Sequence, residues 1–251
     1  MSEPHDLMLF AHLVSKPERE LDLERAALLV ADTEYPALDV ASYVAKLEGY
    51  GHLARRMLRA QGLDAANSAP AERMAPILDL VYRKLGFHGN VGDYYDPRNS
   101  FLNEVIDQRS GIPITLAIVL LAVCRRAGVP AHGVSFPGHF LVRTSRRGGG
   151  SVFVDPFEGR LLDPAQMQAL YEHATGDPGE VDGRFLEPAS RRQILARMLN
   201  NLRAIYEVRG DGQRLRRVLE RMAVVNPTDE VRSRLDHLVH NTVLAPRVSV
   251  N

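Results

Sequence analysis

Apolar residues recur at helical spacing over residues 20–31 and 40–61 in the first third of the chain. This pattern predicts an α-helix at each stretch. Asp39 stands directly before the second stretch, where its side chain would cap the helix. A third helical pattern follows at residues 70–85. The N-terminal third is therefore expected to be helical.

The pattern changes at residues 87–100, which are rich in Gly, Asn, Asp and Pro and predict a long ordered loop. A short helix is expected at 101–108. The strongly apolar stretch PITLAIVLLAVCRRAG follows, in which Pro113 suits the first turn of a helix and Gly128 suits its C-cap. A helix that is apolar on nearly every face should run through the core.

Four short strand patterns come next, at residues 131–136, 139–144, 151–155 and 159–162. Turn signals such as Pro137-Gly138 separate them. The sequence therefore predicts an antiparallel meander beside the apolar helix, with His139 on the second strand and Asp155 ending the third. The expected fold class is α+β, with a central helix packed against an antiparallel sheet.

Helical patterns return after the strands, and the residues around Gly210-Asp211 have the spacing of one tetratricopeptide-like unit. Such arrays need about three repeats to stand alone, so this helical hairpin should pack on the main domain. The sequence thus divides into an N-terminal helical region (1–86), a core (87–174), a linker (175–189) and a tetratricopeptide-like helical segment (190–251).

Composition narrows the classes of function. Lys plus Arg and Asp plus Glu number 31 each, so no net charge attracts nucleic acid or anionic lipid. The arginine-rich residues 191–247 contain almost no interleaved aromatics, and nucleic acid is not an expected partner. The strongly apolar uncharged run, residues 110–124, is shorter than the ~18 residues of a membrane span. With no basic region at the N-terminus to indicate a signal peptide, a cytoplasmic protein without a membrane partner is expected.

Cys124 is the only cysteine, so the sequence predicts neither a disulfide nor a multi-cysteine metal site. His132 and His139 are seven residues apart, which is the wrong spacing for a shared strand face. No glycine-rich phosphate-binding loop is present. Neither a metal nor a cofactor is therefore expected.

Three positions in the middle of the chain should lie together: Pro113 at the start of the apolar helix, His139 and Asp155. The N-terminus of a helix favours a nucleophilic thiol, because the positive end of the helix dipole stabilises a thiolate. A histidine on one neighbouring strand, oriented by an aspartate on the next, would complete a Cys-His-Asp arrangement.

The segments GIPITLAIVLLAVCRRAGVPAHGV, GHFLV and VFVDP resemble the core helix, the histidine strand and the aspartate strand of the transglutaminase-like superfamily, which has a papain-like core. In this alignment the cysteine of the family falls on Pro113. The longer stretch GNVGDYYDPRNSFLNEVIDQRSGIPITLAIVLLAV, with VSFPGHFLVR, is similar to the SirB-type invasion-regulator family. That family combines such a core with C-terminal tetratricopeptide-like helices, and its members commonly carry proline at the vacated position.

Other groups near the helix start are weaker candidates for a nucleophile. The hydroxyls of Ser110 and Thr115 flank the helix start and could approach His139, although both residue types also bond to backbone at helix starts. Cys124 lies near the other end of the helix, where the dipole disfavours a thiolate, and is expected to be a buried structural residue.

Asn103, Glu104 and Arg109 precede the core helix within the family-like motif. Together with Thr115 they are the candidate ligand-binding residues, which would line a cleft. In the alternative interpretation, Glu104 and Arg109 form an ion pair that holds the loop.

The leading interpretation is a noncatalytic transglutaminase-like protein that binds a peptide, a protein partner or a small ligand, with a possible regulatory role. The alternative is a hydrolase or acyl transferase that uses His139 and Asp155 with a hydroxyl or water in place of the missing cysteine. In a third interpretation, His139 and Asp155 only brace the sheet.

Overall fold

The computed structural model describes residues 4–64, 68–145 and 150–244. Its α-helices are α1 (Pro4–Ser15), α2 (Leu23–Ala31), α3 (Val40–Ala60), α4 (Pro70–Leu78), α5 (Leu102–Gln108), α6 (Pro113–Ala127), α7 (Pro164–Thr175), α8 (Arg191–Arg209), α9 (Gly212–Val225) and α10 (Asp229–Leu244). Its strands are β1 (His88–Gly89), β2 (Ser110–Gly111), β3 (Ala131–Val134), β4 (Leu141–Ser145), β5 (Ser151–Asp155) and β6 (Arg160–Leu162). Short 3₁₀ turns lie at Pro97–Ser100 and Gly183–Leu186.

Acidic side chains fix where two N-terminal helices begin. Asp22 accepts a hydrogen bond from the backbone N–H of Arg25 at 3.1 Å, at the start of α2. Asp39 accepts one from the N–H of Ser42 at 3.1 Å and caps α3, as the sequence predicts. Each bond satisfies a backbone donor that the first turn of a helix leaves without a partner.

Helix α3 lies very close to α6. A Cβ atom added at Gly51 would lie 2.3 Å from the Cβ of Arg126, so only glycine allows this approach. Arg126 reaches the buried carboxylate of Glu24 (Nη1 to Oε1, 3.3 Å), which also accepts a hydrogen bond from Arg125 (2.8 Å). Helices α2, α3 and α6 therefore meet around one buried carboxylate.

The helix predicted over residues 70–85 is divided. Helix α4 ends at Leu78, and Asp79–Lys84 form a π-helical turn in which the N–H of Leu85 bonds to the carbonyl of Leu80 at 2.8 Å. The predicted helix is therefore present over residues 70–84, but its last six residues are π-helical rather than α-helical. A single π turn barely changes the spacing of apolar residues, so the pattern does not reveal it.

Helix α6 runs through the hydrophobic core, as its composition predicts, with 12 of its 15 residues buried. It packs against β3 and β4 of an antiparallel sheet whose strand order is β3-β4-β5-β6. This sheet is the predicted meander, and the α+β fold class is confirmed. Strands β1 and β2 form a separate short parallel pair ahead of α6.

His139 precedes a strand rather than lying on one, which corrects the prediction. Strand β4 begins at Leu141, and the N–H of His139 donates to the carbonyl of Phe136 at 3.1 Å to close a turn. Gly138 has a φ of +62°, the left-handed conformation that glycine adopts most readily. We call residues 135–140 the His139 turn.

The C-terminal helices pack on the rest of the molecule, as expected. Helices α8 and α9 are joined by Gly210 and Asp211, and Asp211 caps α9 by accepting from the N–H of Arg214 at 3.0 Å. Buried residues of α8, α9 and α10 belong to the same hydrophobic cluster as α6. The tetratricopeptide-like character of this hairpin and the four domain boundaries stay predictions.

Helix α7 covers the opposite side of the sheet through a second, smaller hydrophobic cluster that includes Leu141, Met167 and Tyr171. Across the described ranges, no helix combines the length and the apolar character that crossing a bilayer requires.

Candidate functional site

His139 and Asp155 are brought together by the sheet. The Nε2 atom of His139 lies 2.8 Å from Oδ1 of Asp155, and the side chains are 16% and 3% exposed. Because a carboxylate only accepts hydrogen bonds, Nε2 carries the proton of this bond. In the neutral ring, Nδ1 then holds the lone pair, and it makes no hydrogen bond to any described residue. We call these two residues the His139–Asp155 pair.

The carboxylate of Asp155 is held by backbone as well as by His139. Its Oδ1 accepts hydrogen bonds from the N–H groups of Phe157 (2.8 Å) and Glu158 (3.2 Å). Burial acts to raise the pKa of Asp155, but the hydrogen bonds from His139 and from these N–H groups outweigh it and hold that pKa below its usual value. Asp155 is therefore an anion that fixes the imidazole ring.

Tyr82 supports the turn that follows Asp155, and the sequence analysis missed this residue. Its hydroxyl donates to the carbonyl of Pro156 at 2.7 Å. Its ring lies against Gly159, where an added Cβ atom would approach within 2.5 Å. Desolvation and the nearby charge of Asp155 raise the pKa of Tyr82 well above its usual value, so it stays a neutral donor. Tyr82 lies in the π-helical turn, and the sequence carries no pattern that distinguishes this tyrosine from the other residues of the helix.

The start of α6 carries no thiol, because Pro113 is its first residue and is buried. The hydroxyl of Thr115 is wholly buried and has backbone partners: it lies 2.7 Å from the carbonyl of Asn99 and 3.1 Å from that of Ile112. It also accepts from the N–H of Ile112 at 3.3 Å. This geometry corresponds to the backbone-bonding alternative for Thr115.

Cys124 lies near the other end of α6 and is completely buried. Burial raises the pKa of its thiol to about 12. A thiol of this kind is protonated at neutral pH and enclosed by apolar neighbours, so it is a poor nucleophile.

The three candidate residues before α6 have separate environments. Asn103 is 2% exposed, and its Oδ1 is buried without a hydrogen bond to any described residue. Burial and the nearby carboxylate of Glu104 raise the pKa of Tyr35 above its usual value.

Arg109 does not pair with Glu104 as the alternative interpretation expected. Its guanidinium lies over the rings of Phe87 and Tyr50, at 4.8 and 5.0 Å from their centroids. Arg109 itself adopts a left-handed conformation (φ 59°), which turns its side chain toward these rings at the end of α5. Its role is a cation–π contact that the sequence pattern did not reveal.

A cavity of about 590 Å³ lies at the C-terminal end of α6, away from Pro113. Its lining includes Arg125, Gly128, His132 and Arg191, and neither member of the His139–Asp155 pair. Within the described residues, no three His, Cys, Asp or Glu side chains are grouped as a metal site requires.

Comparison of the sequence with known proteins identifies the family of this chain. Residues 41–200 match the model of the transglutaminase-like superfamily. A UPF0162 protein of Xylella fastidiosa (strain Temecula1) is 36% identical over 225 residues, which cover 88% of this chain and 78% of that protein. A UPF0162 protein of Pseudomonas aeruginosa is 30% identical over 189 residues, covering 75% and 66% of the two chains.

The similarity extends to a much longer protein. F-box only protein 21 of Homo sapiens is 30% identical over 165 residues, which are 62% of this chain but 23% of that protein. No solved structure gave a significant match. The family match spans more than half of the sequence and includes α6, His139 and Asp155, so this chain belongs to the transglutaminase-like superfamily.

Proposed function

We propose that this chain is a noncatalytic member of the superfamily that binds a peptide or protein partner beside the His139–Asp155 pair. The observation that carries the proposal is Pro113, a buried imino acid at the helix start where the resemblance expects a cysteine. Loss of a covalent nucleophile ordinarily removes most of the rate acceleration of such a site. The nearest hydroxyl along the helix, on Thr115, is bonded to backbone.

The relatives are consistent with a binding role. In F-box only protein 21, the region similar to this chain makes up less than a quarter of the protein. A domain that is combined with other regions in this way suits a recognition module. The narrower assignment to the SirB-type family and the cytoplasmic location stay predictions from the sequence.

A second candidate function is supported by the His139–Asp155 pair itself. With Nε2 bonded to Asp155, the Nδ1 lone pair of His139 is available to take a proton from water. This is the hydrolase or acyl transferase alternative, and it requires turnover that depends on His139.

The two candidates are separated by assaying the native protein against a panel of p-nitrophenyl esters and glutamine-containing peptides. His139→Ala removes the base, and His132→Ala is the matched control, because His132 is an exposed histidine on β3 outside the pair. We expect the native protein and both variants to show the same background rates. Turnover by the native protein that is lost in His139→Ala and kept in His132→Ala would refute the noncatalytic proposal.

A further inference from the structure

Arg197 of α8 reaches the His139 turn. Its Nη1 atom lies 3.1 Å from Oγ of Ser135 and 3.4 Å from the carbonyl oxygen of Phe136. The same carbonyl accepts the N–H of His139 at 3.1 Å. The carbonyl of Phe136 therefore links the guanidinium of Arg197 to the backbone of His139.

The guanidinium of Arg197 has no carboxylate partner among the described residues, unlike those of Arg192 and Arg203 on the same helix. Arg192 pairs with Glu18, and Arg203 pairs with Glu207. Throughout residues 4–64, 68–145 and 150–244, no carboxylate lies within 4.0 Å of Arg197. Its Nε and Nη2 atoms make no hydrogen bond to these residues, so the three N–H groups on these two nitrogens remain for a ligand.

An exposed aromatic loop, residues 91–95, lies against the turn that follows Asp155. The side chains of Tyr94 and Tyr95 are 41% and 74% exposed, which is high for large rings. The Tyr94 ring lies 6.1 Å from the ring of Phe157, whose N–H binds Asp155. The loop therefore reaches the His139–Asp155 pair through Phe157, and Arg197 reaches it through the carbonyl of Phe136. Burial raises the pKa of Tyr94, and the charge of Arg197 acts in the opposite direction.

The aromatic loop is held in place before any ligand binds. Asn99 is 4% exposed, and its amide donates to the carbonyls of Asp93 (2.7 Å) and Tyr94 (3.2 Å). Arg209 donates to the carbonyl of Tyr95 at 3.3 Å. A surface that is already ordered loses little conformational entropy on binding.

We propose that Arg197 and the aromatic loop bind a peptide carboxylate beside the His139–Asp155 pair, an inference that rests on the proposed peptide-binding function. The planar guanidinium matches a carboxylate, which accepts two parallel hydrogen bonds. Tyr94 and Tyr95 offer apolar ring faces for the neighbouring part of the peptide.

The test is a titration of the ¹⁵N-labelled full chain, monitored by NMR through the backbone amide signals and the N–H signals of the arginine side chains. The probes are N-acetyl-phenylalanine, which imitates a peptide C-terminus, its neutral amide, N-acetyl-glutamate α-amide, which imitates an acidic side chain, and inorganic phosphate. Arg197→Gln removes the charge and Arg197→Lys retains it without the planar fork. Arg216→Gln is the control, because Arg216 pairs with Glu220 on α9. Circular dichroism verifies that each variant is folded.

We expect N-acetyl-phenylalanine to shift the signals of Tyr94, Tyr95 and Arg197, and to bind about tenfold more tightly than its amide. Arg197→Gln should weaken binding about tenfold, Arg197→Lys less, and Arg216→Gln not at all. Comparison with N-acetyl-glutamate α-amide distinguishes a terminal carboxylate from an acidic side chain.

Equal binding of the acid and the amide would overturn the carboxylate site, as would binding unchanged by Arg197→Gln in a folded protein. Phosphate binding that depends on Arg197 and exceeds that of both carboxylates would also overturn it. Each of these results leaves the noncatalytic proposal standing. That proposal fails instead through His139-dependent turnover, so the two failures are distinguishable.

Discussion

Two glycines of α3 should respond in opposite ways to the same substitution. Gly51 and Gly49 are two residues apart in one helix, but Gly51 is buried against α6 and Gly49 is exposed with no atom within 4 Å of an added Cβ. Replacing glycine by alanine in a helix interior contributes about 0.5–1 kcal/mol to stability when the space is free. We expect Gly49→Ala to stabilise the protein by this amount.

Gly51→Ala gains the same helical preference of alanine over glycine, but its new Cβ atom overlaps the side chain of Arg126. The new Cβ would lie 2.3 Å from Cβ and 2.9 Å from Cδ of Arg126. The Cβ atom cannot rotate away, so α3 and α6 must separate by more than ~1 Å to restore ordinary van der Waals contact. Overpacking of this kind costs about 1–3 kcal/mol. The shift also strains the bond between Arg126 and the buried carboxylate of Glu24.

Urea unfolding followed by circular dichroism measures both free energies. We expect Gly51→Ala to be about 1–3 kcal/mol less stable than the native protein, with a melting temperature roughly 2–10 °C lower. A Gly51→Ala variant as stable as Gly49→Ala would refute the close approach of α3 and α6.

Three further predictions concern the site and the charges around it. Pro113→Cys places a thiol at the positive end of α6, and we expect this variant to react with iodoacetamide at least about tenfold faster than the native chain. His139→Ala in the same background should reduce the rate. Equal rates with and without His139 would contradict the alignment of Pro113 with the cysteine of the family. Cys124 should resist iodoacetamide in the folded protein and react on unfolding in urea, and rapid native labelling would disprove its burial. Burial and the neighbouring Asp6 raise the pKa of Asp32 to about 6, above its unfolded value of about 4, so its contribution to stability is complete below pH ~4 and is lost as pH rises through ~6. Asp32→Asn should abolish this loss in urea unfolding between pH 4 and 8, and an unchanged pH profile would contradict the assignment.

Much of the architecture was visible in the sequence because it depends on local signals. The apolar run from Pro113 to Cys124 has the length and composition of a buried helix, and Gly128 ends it with a φ of +77°. The strand patterns gave the order of the meander, since consecutive strands with short turns pair with their neighbours. The pairing of His139 with Asp155 followed from that order.

Other features depend on contacts between distant segments, which no local pattern encodes. Tyr82 reaches Pro156, and Arg197 reaches Ser135 and Phe136, across more than sixty residues of chain. The sequence allows Arg109 either to line a cleft or to pair with Glu104, because it shows the charge of the side chain and not its direction. The left-handed backbone of Arg109 instead directs the guanidinium onto two aromatic rings.

The proline at the start of α6 has a consequence for the electrostatics of this end of the helix. A proline has no backbone N–H, so the first residue of this helix offers no hydrogen to an approaching negative oxygen. In acyl-transfer enzymes, N–H groups at such positions stabilise the oxyanion that forms when the nucleophile attacks. At the position where the resemblance expects a cysteine, Pro113 therefore offers neither a nucleophilic side chain nor a backbone donor. Pro113→Cys introduces both, whereas Pro113→Ala introduces the donor alone, so comparing the two variants separates the contribution of the thiol from that of the N–H.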